Sequence, residues 1–252
     1  MMQSKATEAR KKILDLIYKG GTSHIGSNFS IVDVATVLFD KVTEKDEIIF
    51  SAGWKAATAY YFLAQKQVLD WNKIYNTFPN PPYLGLLEPG IPGVTCAGGS
   101  MGIAFSMAVG KARAKKALGK EGKVYVIMSD GEMDCGNVLE SMRKAGNEKL
   151  DNLVVIVDYN GFTAMGKTVI TSSKILDTFL GYEWDCVVID GHNFEAIEGA
   201  LNGEYTELNK PICFVAKTIK GKGVSFMEND NSWHYRKLDK ESYELASKEL
   251  GQ

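Results

Sequence analysis

"KVYVIMSDGEMDCGNVLESMRKAGNEKLDNLVVIVDYNG" (residues 123–161) holds two apolar runs, 123–128 and 152–158, on either side of a helical stretch at 137–149. A strand, a helix and a second strand in roughly thirty residues make one right-handed crossover, which lays the two strands side by side and parallel. Asp130 and Asn160 each follow the end of a strand, so their side chains emerge at the same edge and can meet. Asp130, Glu132 and Asp134 also form an acidic cluster among glycines, and on those residues alone a solvated turn suits it. The pairing with Asn160 opens a second reading. One carboxylate, one amide oxygen and a free backbone carbonyl make a partial Mg²⁺ site, which diphosphate oxygens complete. Gly131, with no Cβ, lets backbone N–H groups approach such an anion.

The same alternation runs through the chain. Further strands are expected at 47–50, 186–190 and 212–217, with helices near 4–18, 30–40, 54–66, 101–118, 193–202 and 239–249. Strands alternating with helices indicate a parallel sheet covered on both faces, and runs this continuously apolar suit strands buried on both sides. The expected fold is therefore α/β, a doubly wound and mainly parallel sheet, with residues 1–252 as a single domain. In such sheets ligands bind outside the carboxyl ends of the strands. Residues 80–102, rich in proline and glycine, read as a long irregular connection, and connections of that kind often carry function.

Composition narrows the class. The 252 residues are 45% hydrophobic, enough for a sizeable core, and 29 Lys and Arg against 31 Asp and Glu give a net charge of −2. That balance supplies no strong field for nucleic acid or an anionic membrane. Cys96, Cys135, Cys186 and Cys213 are scattered with no CxxC pair, which argues against a zinc site and fits reduced thiols in or near the core. The N-terminal stretch is charged and amphipathic, with Ala9, Ile13, Leu16 and Ile17 at helical spacing, so it reads as neither signal peptide nor membrane span. The cytoplasm is the expected compartment.

"SDGEMDCGNVLE" followed thirty residues after its Asp by "NG" resembles the thiamine diphosphate signature, in its transketolase form. Four further blocks match transketolases in order: "GTSHIGSNFSIVDVATVLF" (21–39), "GGSMGIAFSMAVGKA" (98–112), "VIDGHNFEAIEGAL" (188–201) and "AKTIKGKGVSFMENDNSWH" (216–234). The resemblance covers nearly the whole chain. It implies thiamine diphosphate with Mg²⁺, or Ca²⁺ or Mn²⁺ in its place, as cofactors. It makes Asp130 and Asn160 side-chain metal ligands and Phe162 a ligand through its backbone carbonyl. Gly131, Glu132, Gly102, Trp54, Asn160 and His234 are the implied cofactor contacts, and His24 and His234 the implied catalytic histidines. His192, in the "DGH" loop, reads as structural, whereas "KGKG" (220–223) suits an anion-binding loop or a solvated turn equally. Transketolases carry two further domains, so the resemblance implies the N-terminal subunit of a split enzyme. A C-terminal subunit bearing the pyrimidine-binding domain would be its partner, most naturally in a dimer of heterodimers, with sugars or sugar phosphates as substrates.

Four departures surround the implied pocket. Trp54 replaces the histidine of the family's "SKGH", with Lys55 beside it offering a cation by another route. Cys135 replaces a glutamate that helps form an acidic network between paired active sites. Met165 replaces an aspartate, and the loop at 83–93 lacks a "GHPE" histidine. The leading expectation is ketol transfer between a ketose and an aldose. The alternatives are another thiamine-diphosphate carboligation on a specialised sugar, and a catalytically silent scaffold or regulatory subunit.

Overall fold

A computed structural model describes residues 1–204 and 209–252. Five strands, β1 (Glu47–Phe50), β2 (Val124–Ser129), β3 (Leu153–Tyr159), β4 (Asp185–Asp190) and β5 (Ile212–Lys217), form one sheet in the order β1-β2-β3-β5-β4. Every pairing is parallel. The helices are α1 (Met2–Gly20), α2 (Ile25–Ser30), α3 (Val32–Lys41), α4 (Ala56–Gln65), α5 (Trp71–Thr77), α6 (Ile103–Ala117), α7 (Gly136–Asn147), α8 (Ser172–Gly181), α9 (Phe194–Asn202) and α10 (Lys240–Glu249).

Strand periodicity explains how one sheet holds two cores. Along β3, Val154 and Ile156 point into a core shared with Phe29, Leu38 and Ile197, on the side of α1, α3, α4 and α9. The alternate residues Leu153, Val155 and Val157 point into a second core shared with Phe105, Met142 and Phe179, from α6, α7 and α8. Successive side chains of a strand face opposite ways, so the apolar run read from the sequence is required by burial on both faces.

The expected strands all appear. The expected helix at 30–40 is α3, and a short separate helix, α2, precedes it across a break at Ile31. Three helices, α2, α5 and α8, went unexpected. α5 is capped by Asp70, whose side chain accepts from the N–H groups of Asn72 and Lys73. α8 is capped by Thr171, which accepts from Lys174 N–H, and it buries Ile175 and Phe179 one turn apart.

The connection at 80–102 is pinned against the start of α4. Gly53 N–H donates to Gly98 O at 3.1 Å, Leu87 N–H to Gly53 O at 3.1 Å and Gly98 N–H to Leu87 O at 3.0 Å. A Cβ on Gly53 would stand 2.4 Å from the Gly98 carbonyl carbon, backbone against backbone. Gly53→Ala should therefore lower stability by about 1–3 kcal/mol, read as a shift in the urea midpoint at unchanged slope.

Candidate functional site

β2 and β3 pair up to Ser129 opposite Asp158, and both chains then turn out of the sheet. The turn after β2 is a 3₁₀ segment (Asp130–Asp134), and β3 runs into "NGFTAMG". A cavity of about 590 Å³ opens here, with Ser129, Gly131, Asn160 and Phe162 among its lining residues.

Asp130 is fully buried beneath the cavity floor, between the lining residues Ser129 and Gly131, and does not itself line the cavity. Its Oδ1 accepts from Gly131 N–H at 2.9 Å, and its Oδ2 from Gly161 N–H at 2.7 Å, which ties the two turns together. Burial, reinforced by the charge of Asp158 and opposed by the Gly161 N–H, Lys55 and the Gly131 N–H, pushes its pKa up to about 7. Asn160 donates from Nδ2 to Asp158 at 3.2 Å, and its Oδ1 accepts from Phe162 N–H at 3.1 Å. A buried carboxylate whose charge is disfavoured, beside a directed amide oxygen and an open cavity, suits a metal diphosphate. Among the described residues no group of three or more His, Cys, Asp or Glu side chains is placed to cage an ion, so any metal held here must take further ligands from amide or backbone oxygens, water or a bound anion.

Below this floor lies Asp158, fully buried like its partner Lys55, with Lys55 Nζ 2.5 Å from its Oδ2. Ser30 Oγ at 2.6 Å and the Thr218 hydroxyl also donate to Asp158. Burial works against the charge of Asp158, but the Lys55 ammonium and these donors hold its carboxyl below the ordinary value. Lys55 is thus turned into the protein and is absent from the cavity wall.

His24 and His234 line the cavity with ring centroids 4.9 Å apart, edge to face. Their backbones join as well, since His24 N–H donates to His234 O at 2.9 Å. His24 holds a left-handed backbone at φ 69, an uncommon state for a residue with a Cβ. It is kept there by Asn28, whose N–H and Nδ2 both donate to His24 O, at 3.0 and 2.9 Å. Lys220, fully buried, donates from Nζ to Asn231 Oδ1 at 2.6 Å and contacts His234 Nδ1 at 3.1 Å. An ammonium only donates, so Nδ1 accepts and the ring proton sits on Nε2. Burial, then Lys220, His24 and Lys55, lowers the His234 pKa to about 3. Burial, Lys220 and Lys55 lower that of His24 to about 4. Both rings are neutral at physiological pH.

Two expected cofactor contacts, Glu132 and Gly102, are not among the residues that line the cavity. Glu132 is fully buried. Its Oε1 takes the Ser51 hydroxyl and, at 3.2 Å, Gly102 N–H, while its Oε2 takes Ser129 N–H at 2.9 Å, so it fastens three segments together. Gly102 is buried against Asn137 and Val138, where a Cβ would meet the Asn137 amide oxygen at 2.6 Å, and its neighbours Gly99 and Met101 line the cavity instead. Sequence spacing placed both residues close to the site but left their direction open. Trp54 and Phe162 do line the cavity. His192 is held by structure: its Nε2 accepts from Ile219 N–H at 2.8 Å, so Nδ1 donates to Asp33 at 2.7 Å. Asp134 is exposed at the rim. Burial, with Glu132 and Asp134 nearby, raises the Cys135 pKa, and a protonated thiol carries no carboxylate-like charge. Within "KGKG", Lys220 is buried beneath His234 while Gly223 is exposed, so the loop is solvated only at its far end. Lys55 and Lys220 were expected near the site but not buried, and Asp158, two places before Asn160, was missed.

The family model described as "Transketolase, thiamine diphosphate binding domain" matches residues 2–252. This chain belongs to that transketolase family. Among its relatives, a subunit of the apulose-4-phosphate transketolase of Phocaeicola vulgatus is 29% identical, with 100% of this chain and 94% of the relative covered. The 6-deoxy-6-sulfo-D-fructose transketolase subunit SqwG of a Clostridium species is 31% identical, with 99% and 96% covered. Among solved structures, the transketolase of Campylobacter jejuni superposes with a TM-score of 0.89 at 27% identity, covering 99% of this chain but 42% of that one. The transketolase of Leishmania mexicana shares the fold with a TM-score of 0.91 at 22% identity. The chain thus spans about two fifths of the solved transketolases and nearly all of the split-subunit relatives.

The sign of the Asp130 titration is testable in metal-free buffer. Its folded pKa of about 7 exceeds the ordinary 3.8, so the folded chain binds the extra proton and loses stability as pH rises between those values. Between pH 5 and pH 8 this group should cost about 2 kcal/mol. Asp130→Asn should remove that loss from the pH profile of urea unfolding.

Proposed function

We propose that this chain is the diphosphate-binding subunit of a split transketolase, which transfers a two-carbon ketol unit from a ketose to an aldose with thiamine diphosphate and Mg²⁺. The observation that carries the reading is Asp130, a buried carboxylate with disfavoured charge, tied through Gly161 N–H to the turn that presents Asn160. Asp130, Asn160 Oδ1 and the Phe162 carbonyl would hold the metal, and Gly131 would offer its backbone beside the diphosphate. When bound, thiamine diphosphate supplies a nucleophilic carbon that stabilises the charge left by C–C cleavage.

The protein's own share is positioning and exclusion. His234, with Nδ1 engaged by Lys220, keeps an Nε2–H donor, suited to a phosphate or hydroxyl oxygen. His24, neutral beside it, can donate to or accept from a sugar hydroxyl without adding charge. Trp54, Leu86, Met101 and Met165 give the cavity an apolar side that keeps water from the reacting centre. Leu86, Met101, Ile103, Met107, Met165 and Val169 are exposed apolar residues, several of them at the cavity rim. Such surface is costly to leave in water and supports a partner subunit completing the site, most simply in a dimer of heterodimers. The proposed site lies in the single domain that spans the chain, and the four free cysteines suit a reducing compartment such as the cytoplasm. Among the described residues no helix is long and apolar enough to cross a membrane.

A specialised sugar is the favoured substrate class. The relatives named above are transketolase subunits for apulose-4-phosphate and 6-deoxy-6-sulfo-D-fructose, and this chain places Trp54 and Met165 in the cavity wall. A silent scaffold fits less well, because an uncompensated buried carboxylate is costly to keep without a cation.

Calorimetric titration of thiamine diphosphate with Mg²⁺, into the chain with and without a co-expressed partner, should show saturable binding that disappears in Asp130→Ala. Absence of binding in both states would sink the enzyme reading. Trp54→His should bind the cofactor at least as tightly as the wild type, and a large loss would assign the indole a contact of its own.

A further inference from the structure

Lys55 lies wholly inside the protein, one residue after the cavity-lining Trp54. Its ammonium contacts Asp158 Oδ2 at 2.5 Å and the Ser27 carbonyl at 2.9 Å. Asp158 in turn accepts Asn160 Nδ2 at 3.2 Å. That contact has a direction. An asparagine amide has one donor end and one acceptor end, so giving Nδ2 to Asp158 leaves Oδ1 on the opposite side. Asp158 also stands near enough to Asp130 for its charge to be felt there. Two buried carboxylates therefore share the floor, and among the described residues the one ion pair to either of them is Lys55 with Asp158.

A diphosphate with one Mg²⁺ keeps net negative charge. A floor with two uncompensated carboxylates would repel it, and one compensated pair beside Asp130 would not. We propose that Lys55 is a positioning residue of the cofactor site, acting through Asp158. It neutralises Asp158, which holds the Asn160 amide with Oδ1 toward the metal, and so leaves Asp130 as the one unpaired carboxylate at the site, with the buried Lys220 ammonium near enough for its charge to be felt there. This inference rests on the cofactor reading given above. It assigns a task to a lysine that makes no contact with the cavity, and it accounts for a cation next to a position where the pocket has gained an indole.

The test titrates Mg²⁺–thiamine diphosphate into the full chain by calorimetry, and Mn²⁺ alone by electron paramagnetic resonance. Lys55→Met should weaken Mg²⁺–thiamine diphosphate by roughly tenfold or more, because a buried like charge is exposed to the anion. It should leave Mn²⁺ alone bound as tightly as in the wild type or more so, a split that general loss of structure would not produce. Adding Asp158→Asn should restore the complex to within about threefold of wild type, since the pair is again neutral and an acceptor for Asn160 remains. Lys55→Met with Asp158→Leu is neutral too but offers no acceptor, and should stay roughly tenfold weak. The two double variants carry the test even where Lys55→Met alone fails to melt cooperatively. Equal affinity of the two doubles would overturn the role of Asp158, and equal affinity of wild type and Lys55→Met would overturn that of Lys55. A wild-type chain that binds no complex would overturn the cofactor reading itself, and this inference with it.

Discussion

The register between β2 and β3 decides what this molecule can do. With Ser129 opposite Asp158, the two chains leave the sheet at the same height, and Asp130 can take the Gly161 N–H while Asn160 stands beside it. A shift by one residue would send every side chain of β3 to the other face. It would also remove Asp158 from Lys55 and mix two cores that are now separate. Hydrophobic alternation therefore fixes the placement of the polar groups, although none of those groups contributes to the alternation.

Charge is arranged in layers around that junction. Asp158 is matched with Lys55 at full burial, where attraction is strong but desolvation of both ions is costly. Asp130 above it is unmatched, and the two histidines at the wall are kept neutral by burial and by the lysines behind them. The floor therefore asks for a cation, while the wall offers hydrogen bonds without charge. A metal diphosphate flanked by sugar hydroxyls has the complementary pattern.

Much of this was legible in the sequence, and the limits have physical causes. Continuous apolar runs announced all five strands, and the spacing from Asp130 to Asn160 announced that their two turns meet, as the Gly161 N–H bond to Asp130 shows. Of the helices missed, α2 and α5 are short, at six and seven residues, whereas α8 has ten residues with only Ile175 and Phe179 buried to mark its face. Glu132 and Gly102 were placed in the cofactor shell because sequence gives proximity without orientation. Glu132 instead closes onto Ser51, Gly102 and Ser129. Lys55 reads as a cation offered beside Trp54, and Lys220 as part of an anion-binding loop or a solvated turn. That both are buried was not legible, because nothing local distinguishes a buried lysine from a solvated one. Their burial depends on Asp158 and His234, which lie 103 and 14 residues away along the chain.

The contact between His24 N–H and the carbonyl of His234 also joins segments that are far apart along the chain. One histidine of the wall precedes the whole sheet, and its counterpart, with Lys220 behind it, follows the last strand β5. The five strands can therefore pair without completing the cavity. A fragment cut short at β5 would keep most of the two cores and none of the His234 side of the pocket.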